Sequence, residues 1–160
     1  MSLNAPKDLP VPASDGLHFG IVCACFNSEL TEPLLTRVTS LLEDAGSPAS
    51  LVVERVPGSH EVPVALALML AVESFDCLLG LGVVIKGATS HHHLVAESAG
   101  HALQRLAVER CVPVINGLIV TDTVEDARER VSGALDRGAE FARAALQMAA
   151  LKRKWTKNSN

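Results

Sequence analysis

Short unbroken apolar runs alternate along the chain with longer stretches of helical spacing. Residues 17–26, Leu-His-Phe-Gly-Ile-Val-Cys-Ala-Cys-Phe, predict a buried strand. Leu34, Leu35, Val38, Leu41, Leu42 and Ala45 then fall on one face of a helix over 28–45. Pro33 is expected in its first turn, where a missing N–H is tolerated, and Gly46 and Pro48 end it. A second strand is predicted over 50–56, a turn at Pro57-Gly58-Ser59, and a Val/Ala/Leu-rich helix to about Ser74 with Pro63 near its start. An almost wholly apolar third strand covers 76–85. A helix over 91–111 aligns Val95, Ala99, Ala102, Leu103 and Leu106. Pro113 to Val120 is a fourth strand, and Asp122 or Thr123 caps a helix with Glu125 and Asp126 in its first turn. A last helix, about 138–154, aligns Phe141, Ala144, Ala145 and Met148.

The order β-α-β-α-β-α-β-α-α, with apolar strands between amphipathic helices, predicts an α/β fold whose parallel sheet is covered on both faces. Ligands of such folds bind at the carboxyl ends of the strands. That rule nominates Phe26-Asn27, Pro57 to Glu61, Lys86 to His93 and the region after Ile119.

Length and composition narrow the picture. At 160 residues with 48% hydrophobic content, one domain with one core is expected over 17–154, with an extended, Pro-containing arm over 1–16 and a flexible tail over 155–160. The apolar stretches are broken well before the roughly 18–20 residues of a membrane span, and the N-terminus lacks the apolar region of a secretory signal. A net charge of −4 argues against a general nucleic-acid binder, and no Tyr with one Trp argues against a base-stacking platform. The only basic cluster, Lys152-Arg153-Lys154 with Lys157, suits the dipole of a helix C-terminus. Cys23, Cys25, Cys77 and Cys111 form no C-x-x-C pair. Cys23 and Cys25 share a strand face as small buried hydrophobes, and a reduced, cytoplasmic setting is expected.

Candidate chemistry concentrates in Leu81 to His93. A strand runs into Lys86-Gly87-Ala88-Thr89-Ser90-His91, where a helix begins. N–H groups at a helix start face an anion, and glycine permits close approach. The order of residues is not that of a Walker A loop. Three consecutive histidines, His91 to His93, point about 100° apart on a helix and cannot converge on one metal ion. One histidine at a strand–helix junction suits proton transfer near neutral pH, so His91 is the candidate and a solvated helix start is the reading for His92 or His93. Glu61 is either a dipole-favoured first-turn acid or an acceptor for ligand hydroxyls. Arg130 is either a surface ion pair or a two-pronged phosphate clamp. Asn116, interrupting the fourth strand, is either a structural hydrogen bonder or a pocket wall.

Together these pieces resemble the lumazine synthase family of riboflavin biosynthesis. The resemblance rests on Phe26-Asn27; on Val56-Pro57-Gly58-Ser59-His60-Glu61-Val62-Pro63; on Leu81 to His91 with Ile85-Lys86-Gly87-Ala88-Thr89-Ser90-His91; and on Pro113 to Thr121 leading to Glu129-Arg130. It covers roughly residues 17–150. It implies a flavodoxin-like three-layer sandwich with a central four-stranded parallel sheet, which an N-terminal arm from a neighbouring subunit extends. It implies condensation of 5-amino-6-(D-ribitylamino)uracil with 3,4-dihydroxy-2-butanone 4-phosphate to 6,7-dimethyl-8-ribityllumazine, releasing phosphate and water, without metal or organic cofactor. By that resemblance Phe26 and Asn27 belong to the pyrimidine site, with Phe26 stacking on the ring. Ser59, His60 and Glu61 line the ribityl chain, Val83, Val84 and Ile85 offer backbone groups to the heterocycle, and Asn116 lines the pocket. Lys86, Gly87, Ala88, Thr89, Arg130 and Arg137 hold phosphate, and His91 transfers protons. A homo-oligomer follows too, a pentamer or an assembly of pentamers up to an icosahedral shell with sites shared between subunits, and association with riboflavin synthase.

Several positions depart from the family's commonest pattern. Cys25 replaces an Arg, His60 and Asn116 stand where aromatics are common, Lys86 replaces Arg, and Arg137 stands in for a lysine of a Gly-rich turn. These changes bear on affinity and rate rather than on fold. The main rival is a non-catalytic riboflavin- or lumazine-binding protein on the same scaffold. A receiver or flavodoxin-type electron-transfer module is disfavoured, because Cys25-Phe26 and Lys86-Gly87 occupy the places of its acidic pair and phosphorylated Asp, and the FMN-phosphate loop is missing.

Overall fold

The computed structural model describes residues 10–87 and 91–156. Along the chain lie β1 (His18–Ala24), α1 (Ser28–Asp44), β2 (Ser50–Val56), α2 (Val62–Val72), β3 (Cys77–Ile85), α3 (His91–Arg110), β4 (Val114–Thr121), α4 (Val124–Ser132) and α5 (Arg137–Thr156). The four strands form one parallel sheet in the order β2-β1-β3-β4. The expected α/β sandwich is therefore present, consistent with a flavodoxin-like arrangement.

Alternation within the central strands divides the core between two faces. Phe19, Ile21 and Cys23 of β1 and Leu79, Leu81 and Val83 of β3 pack with α1, α4 and α5. Val22, Ala24 and Leu78 pack with α2 and α3. On this second face β3 also carries Gly80 and Gly82. A Cβ on Gly80 would sit 2.7 Å from Val62 Cγ1, and one on Gly82 would strike the Ser59 hydroxyl. The absence of side chains there lets α2 and its preceding turn press onto the sheet.

Three local expectations need correction. Pro33 lies in the second turn of α1, which begins at Ser28, so it also removes an intrahelical bond. β1 ends at Ala24, which leaves Cys25 exposed beyond the strand while Cys23 is buried. Burial pushes the Cys23 thiol up to about 11, so it stays protonated and inert. The inward stripe of α5 is Phe141, Ala142, Ala145, Leu146 and Ala149, with Met148 exposed. The solvated helix start expected of His92 or His93 falls to exposed His93, while His92 is buried.

Thr123, not Asp122, caps α4: its hydroxyl accepts from the Asp126 N–H at 3.0 Å. The basic end of α5 grips the chain just before the two central strands. Lys152 Nζ donates to the Phe75 carbonyl at 2.5 Å, and Arg153 donates to both Asp76 carboxylate oxygens at 2.9 and 2.8 Å and to the Gly16 carbonyl. Asp76 also accepts from the His18 N–H at 2.7 Å. Burial alone would raise the Asp76 carboxyl, yet Arg153, the His18 N–H and Lys152 together hold it below the usual carboxylate range. Lys157 lies outside the described residues.

Candidate substrate cleft

The carboxyl ends of β1, β2 and β3 and the start of α3 enclose a cleft of about 440 Å³. Phe26, Asn27, Ser59, His60, Glu61, Val83, Val84, Ile85, Gly87 and His91 all line it, as do Gly58, His92 and Val95. Of the nominated regions, those following β1, β2 and β3 thus converge, although they are far apart in sequence.

Each wall has a local cause. The chain leaves β1 with the Cys25 and Phe26 N–H groups donating to the Val56 and Pro57 carbonyls, at 2.8 and 3.1 Å. This fastens the β1 exit to the β2 exit and sets the Phe26 ring beside Gly58, where a Cβ would lie 3.2 Å from Phe26 Cδ2. The ring is 71% exposed, an apolar plate at the mouth of the cleft. Asn27 then adopts a left-handed backbone conformation, φ 58°, and begins α1.

In the β2 turn, Glu61 Oε2 accepts the Gly58 N–H at 3.0 Å, while Oε1 stands 4.0 Å from His60 Nδ1. The carboxylate is thereby oriented by its own turn, with one oxygen left on the His60 side. Ser59 is buried against Gly82. His91 is the exposed first residue of α3, on the rim. His92 points inward beside it, its ring centroid 4.0 Å from that of exposed His93.

Other site candidates lie elsewhere. Ala88 and Thr89 fall outside the described residues. Lys86 turns toward Asp122 beyond β4, Nζ to Oδ1 3.5 Å, and does not line the cleft. Asn116 is exposed on β4, its Oδ1 accepting the Leu118 N–H at 3.1 Å and its amide beside Gly100 of α3. Arg130 sits on α4, across the sheet from α2 and α3, and donates to the Asp126 carbonyl at 2.9 Å. Arg137 pairs with Glu140. No Lys or Arg is found among the described residues lining the cleft. Among the described residues no group of three or more His, Cys, Asp or Glu is placed to hold a metal ion, and no helix is long and apolar enough to cross a membrane.

The missed lining residues differ in how visible they were. Gly58 belongs to the Val-Pro-Gly turn already singled out, and Val95 is one helical turn beyond His91. Nothing in the sequence distinguished the inward His92 from His93.

The sequence pattern of 6,7-dimethyl-8-ribityllumazine synthase matches residues 16–153, which takes in every wall of this cleft. The chain belongs to that family. Among curated members, the 6,7-dimethyl-8-ribityllumazine synthase of Nitrosospira multiformis is 36% identical over 140 residues, covering 87% of this chain and 86% of that protein. That of Nitrosomonas europaea is 38% identical over 138 residues, covering 86% and 82%. That of Chlamydia muridarum is 37% identical over 145 residues, covering 88% and 92%. The likeness to lumazine synthases therefore spans the whole sheet, the first four helices and most of α5.

Proposed function

We propose that the cleft condenses 5-amino-6-(D-ribitylamino)uracil with 3,4-dihydroxy-2-butanone 4-phosphate to 6,7-dimethyl-8-ribityllumazine, the reaction for which the family is named. The carrying observation is the convergence of an exposed aromatic plate, an oriented carboxylate, a strand end and a histidine on one cleft. Phe26 stacks on the pyrimidine, Glu61 accepts ribityl hydroxyls, Val83 to Ile85 present backbone groups to the heterocycle, and Ser59 and His60 complete that wall. The substrate amine attacks the ketone, and water leaves as the imine forms. His91 carries protons for this step and for departure of phosphate. Holding two reactants in one cleft supplies much of the acceleration.

The phosphate needs positive charge that the cleft's described walls lack. Lys86 and Gly87, with Ala88 and Thr89 of the same motif, belong to the phosphate half of this reading, just ahead of α3. Arg130, with Arg137, serves from a neighbouring copy, and Asn116 lines the pyrimidine side of the pocket, so the working form is a homo-oligomer, a pentamer or an assembly of pentamers. An exposed apolar stripe on α2 (Val64, Leu68 and Val72, exposed by 59%, 65% and 84%) supplies surface for such assembly. Association with riboflavin synthase and a cytoplasmic setting fit the same reading.

Mixing both substrates with the protein tests the proposal. Lumazine fluorescence and phosphate are expected to appear together. Product no faster than in the uncatalysed mixture would leave the non-catalytic lumazine-binding alternative standing.

A further inference from the structure

We infer that Asn27 is a positioning residue, whose side-chain amide latches the end of β3 to the exit of β1 and so sets the spacing between the Phe26 plate and the Val83–Ile85 backbone. The inference rests on the functional reading above and specifies how the pyrimidine half of that site is held.

The latch is needed because the sheet opens here. Pairing between β1 and β3 ends at Cys23↔Leu81, whereas β3 continues to Ile85 against β4 alone. The end of β3 is therefore secured on one side only by the ladder. On the other side Asn27 Nδ2 donates to the Val83 carbonyl at 2.9 Å. Backbone groups alternate in direction along a strand, so the edge on which Val83 meets Asn27 is also the edge that Ile85 presents to the cleft.

The same residue fixes the other wall. Its carbonyl accepts from the Leu30 and Thr31 N–H groups at 2.8 and 3.0 Å, starting α1. Its left-handed φ of 58° turns the chain directly after Phe26. Asn is among the few residues other than Gly that adopt this conformation readily. Its side chain makes no capping bond to α1, so the amide is committed across the cleft instead. One residue thus joins the aromatic plate, the helix start and the free flank of β3.

Two substitutions separate the latch from the turn. Asn27→Gly keeps the left-handed backbone and deletes the amide. Asn27→Asp keeps shape and replaces the donor with an acceptor facing a carbonyl. Both are expected to fold and to raise the KM for the pyrimidine at least five-fold, with the KM for the butanone phosphate changing less than two-fold. Hydrogen exchange at residues 83–87 is expected to quicken about ten-fold, while that at 77–81 stays as in the parent. Unchanged exchange at 83–87, or equal rises in both KM values, overturns the positioning role. A parent protein that makes no lumazine overturns the enzymatic reading instead. The latch is then judged by exchange and by calorimetric binding of the pyrimidine alone, and binding that neither variant weakens overturns it.

Discussion

His91 and Arg130 are the residues whose proposed roles can be separated most cleanly. His91 stands at the rim of the cleft, at the start of α3, where a side chain can reach a reacting atom without being part of the core. His91→Ala is expected to lower kcat about a hundred-fold, the ordinary size of a general acid–base contribution, with pyrimidine affinity retained. Steady-state kinetics together with calorimetry check this, and an unchanged kcat removes the role. Among the described residues, Arg130 makes its hydrogen bond and its ion pair with Asp126. Arg130→Ala is expected to raise the KM of the phosphorylated substrate about ten-fold, the scale of one charge-assisted hydrogen bond. Equal losses for both substrates would count against a phosphate clamp. Phe26 and Glu61 were legible in the sequence because an aromatic after a buried strand and an acid at a helix start are both conspicuous. The inward turn of His92 was not, since adjacent helical positions look alike until packing selects one face.

Among the secondary-structure elements, periodicity carried most of the information. Strand β2 follows the expected 50–56, and α1 buries Leu34, Leu35, Val38 and Leu42 as the spacing required. The α5 stripe came out rotated because alanine is apolar but small. Several alanine-bearing faces of that helix look equivalent, and burial of its own Phe141 and Leu146 in the core chooses among them. Cys25 was misplaced because alternation describes a strand only as far as the strand runs. The clamp of α5 on the start of β3 has a measurable consequence. Asp76 is held ionised below its ordinary range, so its stabilisation is full above the unfolded carboxylate value and is lost as pH falls through the lower folded one. Asp76→Asn is expected to cost about 1–3 kcal/mol near neutrality and to flatten the acid limb of a stability-against-pH curve. Thermal melts between about pH 7 and pH 3 test both; a parallel acid limb in the variant would show that the carboxylate does not govern it.

For the whole molecule, no Lys or Arg is among the described residues lining the cleft, and one face of α2 is uncovered. A helix apolar on every side is ordinarily buried on every side, yet here only Val62 and Leu66 are buried, against the sheet. Leu68→Glu is expected to reduce the particle toward the 16.9 kDa of a single chain and to abolish product formation with it. Light scattering and the fluorescence assay report the two effects, and an unchanged mass would mean that α2 is not the contact. Local chemistry along the chain was enough to establish the alternation of strands and helices, the parallel sheet, and the short motifs that mark the family. These are encoded in periodicity, turn residues and short spacings, all of which involve near neighbours. Tertiary structure alone decided which motifs meet. It brought Phe26, Glu61 and the β3 end into one cleft, sent Lys86 to Asp122, and placed Arg130 on the opposite side of the sheet. The strand order β2-β1-β3-β4 makes those choices, and residues remote in sequence become neighbours only through it. Within Leu81 to His93, conspicuous on its own, Val83 to Ile85, Gly87, His91 and His92 therefore form one wall of a cleft whose other walls come from the ends of β1 and β2.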